Sequence, residues 1–490
     1  MKTLHALRLL EKKTKAEVFL VGGFVRDYLR KKRNKDIDVV VKNIALEDVA
    51  LFLKQYGKCK LVSLSQARET QPLTMLLFRS EKEPDIEAQI ILPRRGKLQI
   101  ADPTNSLKQD SKYRDFKVNA LYLPISFSSK RDIIDHVGGL DDLKNRSLTP
   151  ITTAEECFMI SPIRMLRMVR LAATTNYRIS NELFKEARRQ ADKILTVPPE
   201  AMRNEFNRIL LAPRPSRYLR MLQKMGLMKY FLPELDRCVG VKQDERYHKY
   251  DVFTHSILTA DFLEPNLALR LAGVLHDVGK TDTRAEVTEG RERHVTFHKH
   301  EIESVRLARL FLDRLRYDNK TKDEVLGLVR MHMYHYTRDY SDAAVRRFVK
   351  RAGITKSNVC GLRDIPLFKL RAGERQGNGL KKEPVTQRQI DFENRIRSVF
   401  ECGAATEIND LQINGHVLIE AFGLKPGPEI GIILEHLVNK VREKKELNNR
   451  LDLLSLAVEY LKNSNSENKE KTVILKEEGS KQTSPAYQKT

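Results

Sequence analysis

The stretch that most constrains this chain lies at residues 18–41 and reads VFLVGGFVRDYLRKKRNKDIDVVV. Residues 18–21 form an apolar run of strand length. Gly22 and Gly23 follow, and without side chains they let the backbone approach a ligand closely. Residues 24–29 have helical spacing, with Arg26 and Asp27 in the first turn. After a basic, turn-prone link, residues 36–40 (DIDVV) return to β character. Strand side chains alternate, so Asp36 and Asp38 share one face while Ile37 and Val39 turn to the core. Two neighbouring carboxylates repel unless something positive sits between them. A hard divalent cation suits such oxygen ligands, and Mg²⁺ takes one or two carboxylates together with substrate phosphates. Backbone N–H groups at a helix start suit a triphosphate. The local expectation is a metal-dependent nucleotide-handling site. A bare D-x-D reads more often as a solvated strand end, and GGFVRD about a dozen residues upstream reverses that reading.

At 490 residues the chain exceeds one compact core, and three or four domains are expected. The formal charge of +23 favours a polyanionic partner, nucleic acid first, over a basic surface serving solubility alone. Five scattered cysteines without a C-x-x-C point to a reducing compartment and no disulfide framework. No apolar run approaches the roughly 20 residues needed to span a bilayer, and the first residues lack the apolar core of a secretion signal. A cytoplasmic protein without a membrane partner is expected.

GGFVRDYL…DIDVVV resembles the first motif of the bacterial tRNA nucleotidyltransferase and poly(A) polymerase family, the class II branch of the polymerase-β-like nucleotidyltransferases. The resemblance implies an α+β fold. An N-terminal polymerase-β-like head of mixed sheet and helices (1–150) is followed by an all-α neck (151–235), an HD domain (236–385) and a helical tail (386–462). The polar stretch 463–490 is expected to be disordered. Within the head, residues 46–56 read as a helix, and 74–78 and 85–92 as strands. The second of these strands carries Glu87, a candidate third carboxylate or an exposed strand residue. Residues 93–108 read as a mobile loop.

Further motifs agree. DSKYRDFKVNALY at 110–122 resembles the family's second motif and assigns nucleotide contacts to Arg114, Asp115 and Asn119. The family's additional arginine before this pair is Tyr113 here, which removes one cation near the triphosphate. IIDHVGGLDDLKNRSL, with Asp135, Gly138, Gly139 and Asp142, resembles the turn between the catalytic and nucleotide-reading parts. In SPIRMLRMVRLAATT, Arg164, Arg167 and Arg170 recur every three residues and stay near one helix face. A solvated stripe is the ordinary reading, whereas the family places it under the incoming nucleotide. The family's Glu-Asp pair just before this stripe is Ile160 and Ser161. A serine accepts from an exocyclic amine more weakly than a carboxylate.

A second chemistry begins at His255, followed by His276 and Asp277 in LHDVGK. This spacing is that of HD-type metal phosphohydrolases, in which imidazole and carboxylate hold Mn²⁺, Ni²⁺, Fe²⁺ or Mg²⁺ and activate water on a phosphodiester. Lys280, His300 and His332 are further candidates for phosphate or metal. The family's last ligand, an aspartate, is Glu374 here, with Asp364 a nearby substitute. Turns at 411–415 and 426–428 in the tail offer N–H groups to RNA phosphate, or serve only to cap helices.

The resemblance as a whole implies a template-independent RNA nucleotidyltransferase that adds CCA to tRNA 3′ ends from CTP and ATP. Asp36 and Asp38 are its catalytic, Mg²⁺-holding pair. Gly22, Gly23, Arg26, Arg114, Asp115, Asn119, Ser161, Arg164, Arg167 and Arg170 line the nucleotide site. His255, His276, Asp277 and Glu374 form the HD metal site. The same motifs leave open a poly(A) polymerase or an enzyme adding only A or CC. A phosphohydrolase with a degenerate head, or a pure RNA-binding protein, fits the intact Asp36, Asp38, Arg26 and Asn119 poorly.

Overall fold

The computed structural model describes residues 2–32, 34–63, 74–95, 100–289, 292–337, 339–381, 383–401 and 408–462; the stretch expected to be disordered, 463–490, lies outside them. Contacts divide the chain into two units, Met1–Val329 with Gly377–Leu380, and Arg330–Gln376 with Lys381 onward.

In the first unit the apolar run becomes the strand Glu17–Val21, buried along its last four residues. It sits inside a seven-stranded sheet ordered Gly57–Ser63, Thr74–Ser80, Glu87–Ile91, Asp36–Lys42, Glu17–Val21, Leu121–Pro124, Ile134–Asp135. Asp36–Lys42 and Glu87–Ile91 run parallel, and the other neighbours are antiparallel. The period-two expectation holds, with Ile37 and Val39 fully buried and both aspartates on the opposite, partly open face. One face of the sheet is covered by the helices Lys2–Lys13 and Leu46–Leu53, whose Leu7, Leu10, Val49 and Leu53 pack with Val18, Leu20, Ile37 and Val39. Each such buried aliphatic side chain contributes about 1.5–3 kcal/mol. The helix Lys2–Lys13 and the strand Gly57–Ser63 have no counterpart in the sequence reading. Both are short and carry many lysines, and tertiary packing decides them.

The segment read as a loop contains Arg94–Arg95 paired antiparallel with Ile100–Ala101. It is tied down by Asp110, which accepts from the Arg94 backbone N–H at 2.9 Å and its Nε at 3.2 Å. Beyond the head, Ile163–Thr175 packs on Pro199–Leu210 and Pro215–Lys224, and proline opens each of the latter two. Val252–Asp261, Leu267–Leu275 and His300–Arg314 follow as helices. The hairpin Arg284–Glu289 with Glu292–Phe297 interrupts the expected all-helical run.

In the second unit Asp342–Arg351, Gln387–Glu401, Gly415–Phe422, Pro428–Glu443 and residues 450–462 are helical. Leu418, Ile433, Leu437, Val441 and Leu453 form one of its cores. In the turn at 411–415 the Leu411 N–H donates to the Ile408 carbonyl and the Gln412 N–H is taken internally, while the Asn414 side chain caps the helix that follows. Asn414 accepts from His416 and Val417, and Asn448 accepts from Gln412. No helix among the described residues is long and apolar enough to cross a membrane.

The glycine turn at 138–139 is organised by one carboxylate. Asp135 accepts from the N–H groups of Val137, Gly138, Gly139 and Leu140 at 2.9–3.1 Å, satisfying the start of the helix Gly139–Asn145. Burial pushes this carboxyl up, but the four N–H donors outweigh it and hold it below its ordinary value. Replacement Asp135→Ala is expected to cost about 1–2 kcal/mol at neutral pH. A group depressed in the folded state stabilises above its unfolded pKa, so the deficit should shrink as pH falls below about 4. Denaturant midpoints of parent and variant across pH 7 to 3 check both the size and the direction.

Candidate active site and metal centre

Gly22 adopts φ +68°, the left-handed region that only glycine enters freely, and a Cβ there would lie 2.4 Å from Asp38 Oδ2. The same Oδ2 accepts the Gly23 N–H at 2.9 Å. The double glycine therefore lets the helix start close over the strand end and seats one of the two aspartates. Asp38 is held above its ordinary pKa, first by burial and also by the charge of Asp36, against the opposing effects of Gly23, Arg114 and Arg26. A cation beside the pair would relieve both effects, which fits a divalent metal. Asp36 is half exposed and meets Arg208 Nη2 at 3.4 Å.

These groups open into a cavity of about 530 Å³. Of the sequence-assigned residues, Gly22, Gly23, Arg26, Asp36, Asp38, Arg114, Asp115, Asn119, Arg164, Arg167 and Arg170 line it together. Residues separated by more than a hundred positions thus converge on one volume. Arg26 forks onto Asp27 and donates to Asn119 Oδ1 at 2.8 Å. Asn119 donates to Asp115 Oδ1 at 3.1 Å, and Asp115 Oδ2 meets Arg167 at 3.2 Å. Burial raises the Asp115 carboxyl, but Arg167 and Arg164 overcome it and the group is lowered. Arg167 and Arg170 both pair with Glu205 of the helix Pro199–Leu210. Arg164 is buried and donates to the Tyr113 carbonyl at 2.8 Å.

Two sequence-assigned residues stand apart from the cavity lining. Glu87 is the register partner of Asp36, but its carboxylate is engaged by Arg79 at 2.7 Å. Ser161 ends the helix Ala154–Ile160, and its carbonyl accepts the Arg164 N–H at 3.0 Å. Conversely, Arg94, Glu205 and Arg208 also line this cavity and Asp110 holds two of its arginines, although the sequence motifs name none of the four for it. Asp110 is fully buried and holds Arg114 Nε at 2.9 Å, the Tyr122 hydroxyl at 2.6 Å and Arg94. Burial would raise this carboxyl too, yet the two arginines hold it well down. Arg94 lines the same cavity, so the segment read as a loop contributes a cation to it. The D-S-K-Y-R-D spacing, which puts Asp110 one helical turn before Arg114, was the signal available for Asp110.

The HD residues of the first unit also converge. His276 Nε2 lies 3.2 Å from His255 Nε2 and 3.2 Å from Asp277 Oδ2, while His300 Nε2 lies 3.2 Å from Asp277 Oδ1. The Nδ1 atoms of His276 and His300 sit 2.9 Å from the Gly273 and Phe297 carbonyls. Donation from Nδ1 leaves each Nε2 lone pair facing Asp277, the arrangement that metal-binding histidines use. His255, His276 and Asp277 place one ligand atom each within 4.8 Å of one another, all buried, and this nitrogen–oxygen set fits a divalent metal. Lys280 is buried, with Nζ on Asp277 at 2.7 Å and on Gln243 at 2.8 Å. Gly279 lies so close to the helix His300–Arg314 that a Cβ would fall 2.4 Å from the His300 carbonyl oxygen, which explains the glycine of HDVGK. His332 and Glu374 belong to the second unit; both are buried, and Glu374 pairs with Arg371 at 2.9 Å.

A mixed-sheet head with paired carboxylates beneath a basic cavity, joined to helices, defines a polymerase-β-like nucleotidyltransferase. Comparison with known proteins agrees. Residues 18–149 match the poly A polymerase head domain, 176–239 the probable RNA- and SrmB-binding site of polymerase A, and 252–388 the HD domain. The multifunctional CCA protein of Cupriavidus pinatubonensis is 30% identical over 346 residues, 68% of this chain and 79% of that protein. That of Methylobacillus flagellatus is 31% identical over 342 residues, 68% of this chain and 78% of that protein. The fold resembles the Bacillus stearothermophilus CCA-adding enzyme crystallised with CTP, at a TM-score of 0.61 and 18% identity, over 95% of this chain and 98% of that one. The chain belongs to the bacterial tRNA nucleotidyltransferase and poly(A) polymerase family, in the company of the multifunctional CCA proteins.

Gly22→Ala tests how Asp38 is seated. The added methyl displaces the carboxylate, and a shift on the order of 1 Å costs about 10²-fold in rate. Nucleotide incorporation by the variant should fall by that factor, while its circular dichroism spectrum remains that of the parent.

Proposed function

We propose that the head cavity adds CCA to tRNA 3′ ends, drawing on CTP and ATP. The observation that carries this reading is the convergence of paired carboxylates, Asp36 and Asp38, with a ring of guanidiniums from head and neck in one cavity. The names of the relatives support the same activity. Asp36 and Asp38 would hold Mg²⁺, which when bound lowers the barrier to phosphoryl transfer by activating the attacking hydroxyl and neutralising the triphosphate. Arg26, Arg94 and Arg114 gather positive charge on the head side for phosphate and sugar. Arg164, Arg167 and Arg170 face them from the neck helix and clamp the nucleotide. Their carboxylate and carbonyl partners hold these cations in place before substrate arrives, so little reorganisation is left for the reaction. In this reading residues 1–150 are the catalytic head, 151–235 the neck, 236–385 the HD domain and 386–462 the tRNA-binding tail. The free thiols of Cys59, Cys157 and Cys238 suit the cytoplasm.

Incubation with tRNA lacking its 3′ end and each labelled nucleotide, followed by sequencing of the ends, decides among CCA, A-only, CC-only and poly(A) products. CCA is expected. Asp36→Ala and Asp38→Ala should each lower the rate on the order of 10³-fold or more, with tRNA binding retained. Undiminished transfer in either variant overturns the assignment of the pair.

A second reading concerns the HD centre. The tautomers of His276 and His300, fixed by backbone carbonyls, favour a metal-dependent phosphohydrolase acting on phosphate esters such as 2′,3′-cyclic phosphates. Its residues suit Mn²⁺, Ni²⁺, Fe²⁺ or Mg²⁺. The double variant His276→Ala/Asp277→Ala should lose bound metal in elemental analysis and lose hydrolysis of a cyclic phosphate substrate, while nucleotide addition continues. Metal-free wild-type protein would remove this second activity.

A further inference from the structure

The second unit carries a cavity of about 250 Å³ that none of the chemistry above uses. Arg371 and Arg375 reach it from the helix Pro366–Gly377, and Arg388 and Phe392 from the helix Gln387–Glu401. Tyr334, His335 and Tyr336 line it from the chain that precedes these helices, with Thr386 and Gln389 beside Arg388. Tyr336 stacks on Phe392 with ring centroids 4.4 Å apart and an interplanar angle of 20°. The Arg371 guanidinium lies over the Tyr334 ring at 5.7 Å. The wall is therefore aromatic, and three cations converge on it.

The polar groups of this cavity are unevenly satisfied. Arg371 pairs with Glu374 at 2.9 Å, and Arg375 Nε donates to the Glu383 carbonyl at 3.1 Å. Arg388 is exposed and makes no hydrogen bond or ion pair among the described residues. The Tyr334 hydroxyl is buried without a hydrogen-bond partner among them. A buried hydroxyl left unpaired costs free energy comparable to a lost hydrogen bond, and such groups mark a missing partner. Arg371 is compensated by Glu374, whereas Arg375 and Arg388 meet no carboxylate at ion-pair distance among the described residues, and their planar N–H forks match phosphate oxygens. Aromatic rings and arginine faces are also what single-stranded RNA bases stack upon.

We infer that this cavity binds one nucleotide, its phosphate on Arg375 and Arg388 and its base against the Tyr336–Phe392 wall, with the Tyr334 hydroxyl donating to the same ligand. Two sources share this chemistry, a free mononucleotide and one nucleotide of an RNA strand. The volume takes a single nucleotide and excludes a duplex.

The test is photolabelling of the full chain with 8-azido-AMP and, separately, with a single-stranded pentaribonucleotide containing 4-thiouridine, the labelled peptides being read by mass spectrometry. Label on Tyr334, Tyr336 or Phe392 is expected. Labelling by the azido nucleotide alone assigns the site to free nucleotides, and labelling by the oligonucleotide assigns it to RNA. Charge reversal Arg388→Glu, at an exposed position without a partner, should reduce that label at least about tenfold. The circular dichroism spectrum and thermal midpoint of the same variant should remain those of the parent, since Arg388 is exposed and makes no hydrogen bond or ion pair among the described residues. Tyr336→Ala should reduce the label through loss of stacking. Absence of label from these three residues with both probes, or undiminished label in Arg388→Glu, overturns the proposal.

Discussion

The Asp115 carboxylate joins the sheet-bearing head to the helices that follow it. One oxygen accepts from Asn119, which in turn accepts from Arg26 of the helix Gly22–Leu29. The other meets Arg167 of the helix Ile163–Thr175, and Arg167 continues to Glu205 of Pro199–Leu210. A single relay of charged and amide groups thus runs from the strand-capping helix of the head into two helices of the neck. Its members are separated by up to 179 residues, from Arg26 to Glu205. Buried pairs of this kind gain little stability over an apolar packing of the same shape, but breaking one leaves an uncompensated charge. Their value lies in geometry, because they fix where each guanidinium points.

The same logic explains how so many arginines share one cavity in a chain of charge +23. Asp110 sits beneath Arg94 and Arg114, Asp27 beneath Arg26 and Arg30, and Glu205 beneath Arg167 and Arg170. Each carboxylate serves two cations, so positive charge remains in excess on the open side. A polyphosphate entering this cavity would meet donors already oriented, with few mobile dipoles left to rearrange.

Much of this was written locally in the chain. Gly22 and Gly23, the alternation of Asp36 with Ile37 and Asp38 with Val39, and the three-residue recurrence of Arg164, Arg167 and Arg170 each carry a period that neighbours in sequence reveal. The HD spacing did the same for His255, His276 and Asp277. What stayed hidden depends on long-range pairing. Glu205 looks like any exposed glutamate of an amphipathic helix until Arg170 is brought beside it. Arg94 sits among loop-forming residues, and its side chain takes a fixed place against Asp110, sixteen positions on. Glu87 shows the converse, since register puts it beside Asp36 while a cross-strand arginine takes its charge. The hairpin Arg284–Phe297 escaped because its strands are polar and bury little.

Arg208 gives the carboxylate pair an occupant of its own. Its guanidinium lies over Asp36 from the neck helix Pro199–Leu210, with both side chains at least half exposed. Exposed pairs are worth about 0–1 kcal/mol, so this contact is a placeholder and not a lock. A divalent ion held by Asp36 and Asp38 would compete with this guanidinium for the same carboxylate, so the site would exchange one cation for another and not start from a bare charge. The freed guanidinium belongs to the helix that also carries Glu205.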